Sequence, residues 1–111
     1  VTGVAFNKGA ESHTINYTSP SKAPSQKVPI PNYFYKLVLK VKTDVGGTVT
    51  DAVCVAFWFE HKTYSDSYAN YTVSVDEVES WTGFDFFVNL PSDIETRVEA
   101  KNTTWSAFTS F

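Results

Sequence analysis

The chain has 111 residues, of which 42% are apolar, 16% aromatic and 19% charged, with a net charge of −3. That is enough chain for one core and too little for two, and the composition excludes a disordered segment or a coiled coil. No stretch approaches the roughly 18 consecutive apolar residues of a membrane-spanning helix, and the single cysteine, Cys54, excludes an intrachain disulfide.

In chain order, residues 1–6 read as an apolar strand, and the abrupt opening at Val1 carries the expectation of a cut or processed end. Residues 8–31 are polar and proline-containing, which predicts a long surface loop. Residues 33–42 alternate with period two. Tyr33, Tyr35, Leu37, Leu39 and Val41 fall on one face, and Phe34, Lys36, Val38, Lys40 and Lys42 on the other. A turn around Gly46-Gly47 follows, and residues 52–59 are apolar on both faces, as in a central strand covered on both sides. With so short a connection the two strands should pair as an antiparallel hairpin.

Ser74-Val75-Asp76-Glu77 has the spacing of a capping box and predicts a short helix over residues 75–81, with Val78 inward and Gly83 as its stop. A second start signal, Ser92-Asp93-Ile94-Glu95, predicts a helix over residues 92–100 with Ile94 and Val98 on its buried side. Trp105, Phe108 and Phe111 in the tail should dock on another surface. The fold expected is α+β, a largely antiparallel sheet with short helices, in a single domain over residues 1–111.

Charge is unevenly spread: residues 1–42 carry +5 and the remainder −8. Lys36, Lys40 and Lys42 share a strand face, where cations in a row can neutralise phosphates without reading bases, so they are the candidate nucleic-acid contacts. Cys54 lies in an apolar run that disfavours its thiolate. His61 follows Glu60, but neighbours in a strand point to opposite faces, and His13 sits in the polar loop with only Glu11 nearby. Asp76, Glu77 and Glu79 suit the start of a helix without any metal. No phosphate loop, zinc-binding histidine pair or nucleophile elbow is present, so no catalytic or metal-binding residue is assigned.

The ordered set Val28-Pro29-Ile30-Pro31-Asn32-Tyr33-Phe34-Tyr35-Lys36, Ala56-Phe57-Trp58-Phe59-Glu60, Ser74-Val75-Asp76-Glu77-Val78-Glu79 and Thr82-Gly83-Phe84-Asp85-Phe86-Phe87 resembles the C-terminal half of DNA/RNA non-specific endonucleases of the ββα-metal type. Val1-Thr2-Gly3 is similar to the strand that follows their catalytic region, and Leu90-Pro91 with Ile94-Glu95 to their closing helix. The resemblance implies a parent hydrolase that cuts DNA and RNA with magnesium, using a histidine from a D-R-G-H motif as general base and an asparagine to hold the hydrated ion. Neither His13 nor His61 follows D-R-G, so this chain alone is expected to be inactive and to need no cofactor. Export to the periplasm or outside the cell is a further implication. The competing expectation is a non-catalytic exported module that binds carbohydrate or protein. Because residues 52–59 need cover on both faces, either an upstream segment or a second copy is expected to pack there.

Overall fold

The structure, a computed structural model, describes residues 1–111. Its strands are β1 (Thr2–Ala5), β2 (Asn16–Thr18), β3 (Val28–Ile30), β4 (Tyr33–Thr43), β5 (Val49–Glu60) and β6 (Thr72–Val73), and its α-helices are α1 (Val75–Thr82), α2 (Ser92–Ala100) and α3 (Trp105–Thr109). The main sheet has the order β1-β4-β5-β6 with every neighbour antiparallel, so the fold is α+β as expected.

The β4–β5 hairpin is the spine. Its register sets Tyr35 opposite Trp58, Leu37 opposite Ala56 and Leu39 opposite Cys54, so the alternating side chains of both strands collect on the same face. The turn between them is built from Asp44, whose Oδ1 accepts from the Gly46 and Thr48 amides at 2.9 and 3.0 Å. Gly47 takes φ 84°, which a residue with a Cβ adopts only with strain.

On that first face α1 and α2 bury Val75, Val78, Ile94 and Val98 against Tyr33, Tyr35, Leu37, Cys54, Ala56 and Trp58. Val78 is fully buried and by its area alone stabilises this layer by roughly 2 kcal/mol. Aromatic rings help to fill this layer: Trp58 stacks on Tyr35 with centroids 5.9 Å apart and meets Trp81 edge-on at 5.0 Å. Helix α1 starts as expected, with the Glu77 amide donating to Ser74 Oγ at 3.1 Å, and ends at Gly83 in the left-handed conformation with φ 81°.

Three features differ from the sequence-based expectation. Residues 8–31 are not loop throughout, because β2 and β3 pair as a small two-stranded sheet, Tyr17 opposite Pro29. Three-residue strands without a buried face leave no period-two signature. Helix α2 spans residues 92–100 as expected, but Pro91 rather than Ser92 stands at its cap, with no side-chain capping bond. Ser92 therefore lies in the first turn, and no side chain at the cap accepts from the first amides of the helix.

The third difference concerns the opposite face of the sheet, for which outside cover was expected. Part of that cover comes from the chain's own tail. Helix α3, capped by Thr104 Oγ1 accepting from the Ala107 amide at 3.1 Å, sets Phe108 against Val55 and Phe57, with Trp105 beside them. The rest of this face, around Val4, Phe34, Lys36 and Phe59, stays open as a hollow of about 540 Å³. The whole chain is elongated, with a radius of gyration of 17.1 Å, where a compact body of this length has roughly 13 Å.

Candidate functional site

The three lysines of β4 do not form a free row. Lys40 Nζ donates to the Phe108 carbonyl at 2.7 Å and stands 4.3 Å above the Phe108 ring. Lys42 Nζ lies 4.2 Å above the ring of Phe111. Both ammonium groups thus face the C-terminal end of α3, where carbonyls and ring faces favour cations. Lys36 alone projects from the open part of the face. It borders both the hollow by Val4, Phe34 and Phe59 and a second one, about 310 Å³, lined by Val38, Phe57, Phe59, Tyr68 and Trp105, and is the one charged residue in either lining.

The two histidines, far apart in sequence, line one shallow hollow with Asn32, Tyr33, Glu60 and Lys62. His61 Nδ1 meets the Pro31 carbonyl at 2.7 Å, which places the proton on Nδ1 because a carbonyl only accepts. His13 Nε2 meets Glu11 Oε2 at 3.0 Å, and the Tyr33 hydroxyl donates to both oxygens of that carboxylate at 2.8 and 3.0 Å. The Tyr33 hydrogen bond holds the Glu11 carboxyl below its usual range, and the same bond is the main cause of the Tyr33 phenol rising to about 12. Asn32 is already engaged, its Nδ2 donating to the Phe6 carbonyl at 2.7 Å and its own carbonyl accepting from the His61 amide at 2.8 Å. These groups fasten β1, the loop before β2 and the start of β4 together. Glu60 accordingly pairs with Lys62 at 3.4 Å rather than orienting His61.

Cys54 is 2% exposed, and burial lifts its thiol to about 12, so it packs as a small apolar residue. A grouping not visible along the sequence lies between α1 and α2. Carboxylate oxygens of Asp76, Glu79 and Glu99 fall within 4.8 Å of one another, and so do those of Asp85, Glu95 and Glu99. Burial drives the Glu99 carboxyl up to about 7, with Glu79, Glu95, Asp76 and Asp85 adding repulsion. Burial is also the leading cause of the upward shift of Glu79, against the Phe86 amide, which donates to its Oε2 at 2.7 Å. The sequence signals for this group were two like-charged pairs, Asp76 and Glu79 three apart and Glu95 and Glu99 four apart on their helices.

An antiparallel sheet with α1 and α2 on one face is the scaffold of an α+β protein. Comparison with known proteins gives that scaffold a family. The family model for DNA/RNA non-specific endonuclease matches residues 1–93, and the chain belongs to this family. A protein named "Nuclease" from Nostoc sp. (strain PCC 7120 / SAG 25.82 / UTEX 2576) is 32% identical over 79 residues, which cover 68% of this chain and 29% of that protein. The chain thus spans less than a third of that relative's length. No solved structure matches. Most of α2 and all of α3 lie beyond the matched residues.

Proposed function

We propose that this chain is the C-terminal scaffold of a magnesium-dependent hydrolase that cuts phosphodiester bonds of DNA and RNA with little base preference. The family match over residues 1–93 carries the reading. The residues present do not fit the magnesium centre implied by the family: three metal-capable side chains converge only as carboxylates, without a histidine or asparagine among them. On this reading the water-activating histidine and the residues holding magnesium belong to sequence upstream of Val1.

What this chain contributes is support. The β4–β5 spine fixes the relative positions of the sheet faces, and the open hollow around Val4, Phe34 and Phe59 is the surface on which the upstream part, or a second copy, would pack. Lys36, at the margin of that surface, is the residue placed to neutralise a phosphate of DNA or RNA, while Lys40 and Lys42 act chiefly through α3. Export from the cell is part of the same proposal.

The test uses supercoiled plasmid and single-stranded RNA with magnesium. The chain of residues 1–111 should leave both intact, and a longer chain including the upstream segment should degrade both and stop when a chelator is added. If the longer chain stays inert with magnesium, manganese and calcium, the nuclease reading fails. A non-catalytic exported module that binds carbohydrate or protein then takes its place, with the exposed rings of Tyr17 and Phe84 as its first contacts to examine.

A further inference from the structure

The acidic cleft between α1 and α2 contains a feature that ordinary surface acids lack. Glu99 is 8% exposed, and its Oε1 is buried with no hydrogen-bond partner in the protein. An ionised carboxylate in such a place is costly unless something positive or donating meets it. The chain supplies neither. The charged groups that act on Glu99 are Glu79, Glu95, Asp76 and Asp85, every one acidic. The basic residues of α2 and its end are turned elsewhere: Arg97 pairs with Asp51 at 2.7 Å, and Lys101 lines a hollow with Ala52, Val53 and Phe111.

Helical spacing brings these acids together. Asp76 and Glu79 are three apart on α1, Glu95 and Glu99 four apart on α2, and Asp85 comes from the connection between the helices. Each helix thus places two like charges on one face, where they oppose folding by repulsion, and packing α1 against α2 joins the two faces at Glu99. The Phe86 amide fixes one oxygen of Glu79 and so holds that side chain in the cleft.

We infer that this cleft is a divalent-cation site that prefers calcium, with Glu99, Asp76 and Glu79 as its ligands, while Asp85 and Glu95, which meet Glu99 as a second group, add negative charge beside it. Calcium suits it better than magnesium. Several carboxylates on flexible side chains can provide six to eight oxygens at varied angles, whereas magnesium demands octahedral geometry and keeps its waters. The cation supplies the missing partner of Glu99 Oε1 and relieves repulsion among the five acids. It would also tie the two helices together across the boundary where the family match ends. The site stands independently of the proposed nuclease activity, because its readout is binding and stability.

The test is a calcium titration of the chelator-treated 111-residue chain, followed by thermal unfolding and calorimetry. Calcium at a hundredfold excess over its Kd should raise the Tm by roughly 10 °C or more. Magnesium at equal concentration should give a smaller rise, and sodium chloride at matched ionic strength very little. E99Q should melt cooperatively without metal and lose calcium affinity at least about tenfold. D76N, at an exposed position, should weaken binding while leaving the metal-free fold intact, and D66N, outside the cleft, should bind calcium like the unaltered chain. The inference is overturned if calcium does no more than sodium chloride, if E99Q retains full affinity, or if D66N weakens binding as much as D76N. Should E99Q fail to fold, D76N decides the matter alone.

Discussion

Replacing Phe108 with alanine tests whether the tail covers the second face of the sheet. The ring is 5% exposed and packs on Val55 and Phe57, while the Lys40 ammonium lies 4.3 Å above it. Truncating a buried phenylalanine costs about 3–5 kcal/mol when a closed cavity is left. This site borders solvent through the adjoining hollow, and the neighbouring Trp105 can partly collapse into the gap, so the lower end applies. The lost cation–π contact adds about 0.5–1 kcal/mol, whereas the bond from Lys40 to the Phe108 carbonyl survives because it is made to backbone. The expected loss is about 3.5–4 kcal/mol. For a domain of this size that lowers the Tm by roughly 10–20 °C, measurable by urea and thermal unfolding followed through tryptophan fluorescence. Deleting residues 103–111 should cost at least as much. A loss below about 1 kcal/mol for both variants would show that α3 is not held on the sheet and that the second face depends on outside cover after all.

Two further outcomes follow from local chemistry. Ser74→Ala removes an acceptor for the Glu77 amide and a donor to Glu77 Oε1, so urea unfolding should show a loss of about 1 kcal/mol. In metal-free buffer the Glu99 carboxyl, raised from 4.5 to about 7, binds its proton more tightly in the folded chain than in the unfolded one. Stability from this group is present below pH 4.5 and is lost as pH rises through 7, by at most about 3 kcal/mol. Glu11, Asp51 and Asp66 are shifted downward, so their contributions are lost only in more acidic solution, outside this window. Thermal unfolding at pH 5 and 7.5 should therefore show a fall that E99Q reduces, with Glu79, also shifted upward by burial, leaving a remainder, and an unchanged slope in E99Q would contradict the assignment.

The legible parts of this fold are those where the side-chain pattern and the backbone demand coincide. Tyr33, Tyr35 and Leu37 alternate with Phe34 and Lys36, which fixes both the strand and its buried face. Ser74 and Gly83 mark the two ends of α1 by cap chemistry that any reader of the chain can apply. The tail was legible in kind, since Trp105 and Phe108 had to dock, but not in direction, because periodicity is silent about which sheet face receives a helix. For the same reason Lys40 and Lys42 read as a phosphate-facing row, while their partners lie at Phe108 and Phe111, over 60 residues away. The acidic cleft depends on the packing of α1 against α2. Asp76 and Glu79 suit a helix start when taken alone, and only their approach to Glu99 gives them another meaning.

The unequal dressing of the two sheet faces implies an order of assembly. The β4–β5 ladder closes through a five-residue connection and requires little loop entropy, so it is the unit able to form first. Helices α1 and α2 then settle from sequence immediately downstream. Helix α3 has five residues and joins strands laid down some 50 residues earlier, so it condenses last and is the first to detach. Amide exchange should record this as three tiers of protection, slowest in Leu37 and Val55, intermediate in Val78 and Val98, and fastest in Ala107 and Phe108. A chain still emerging from the ribosome would meanwhile expose the Val55–Phe57 face until residues 105–109 arrive.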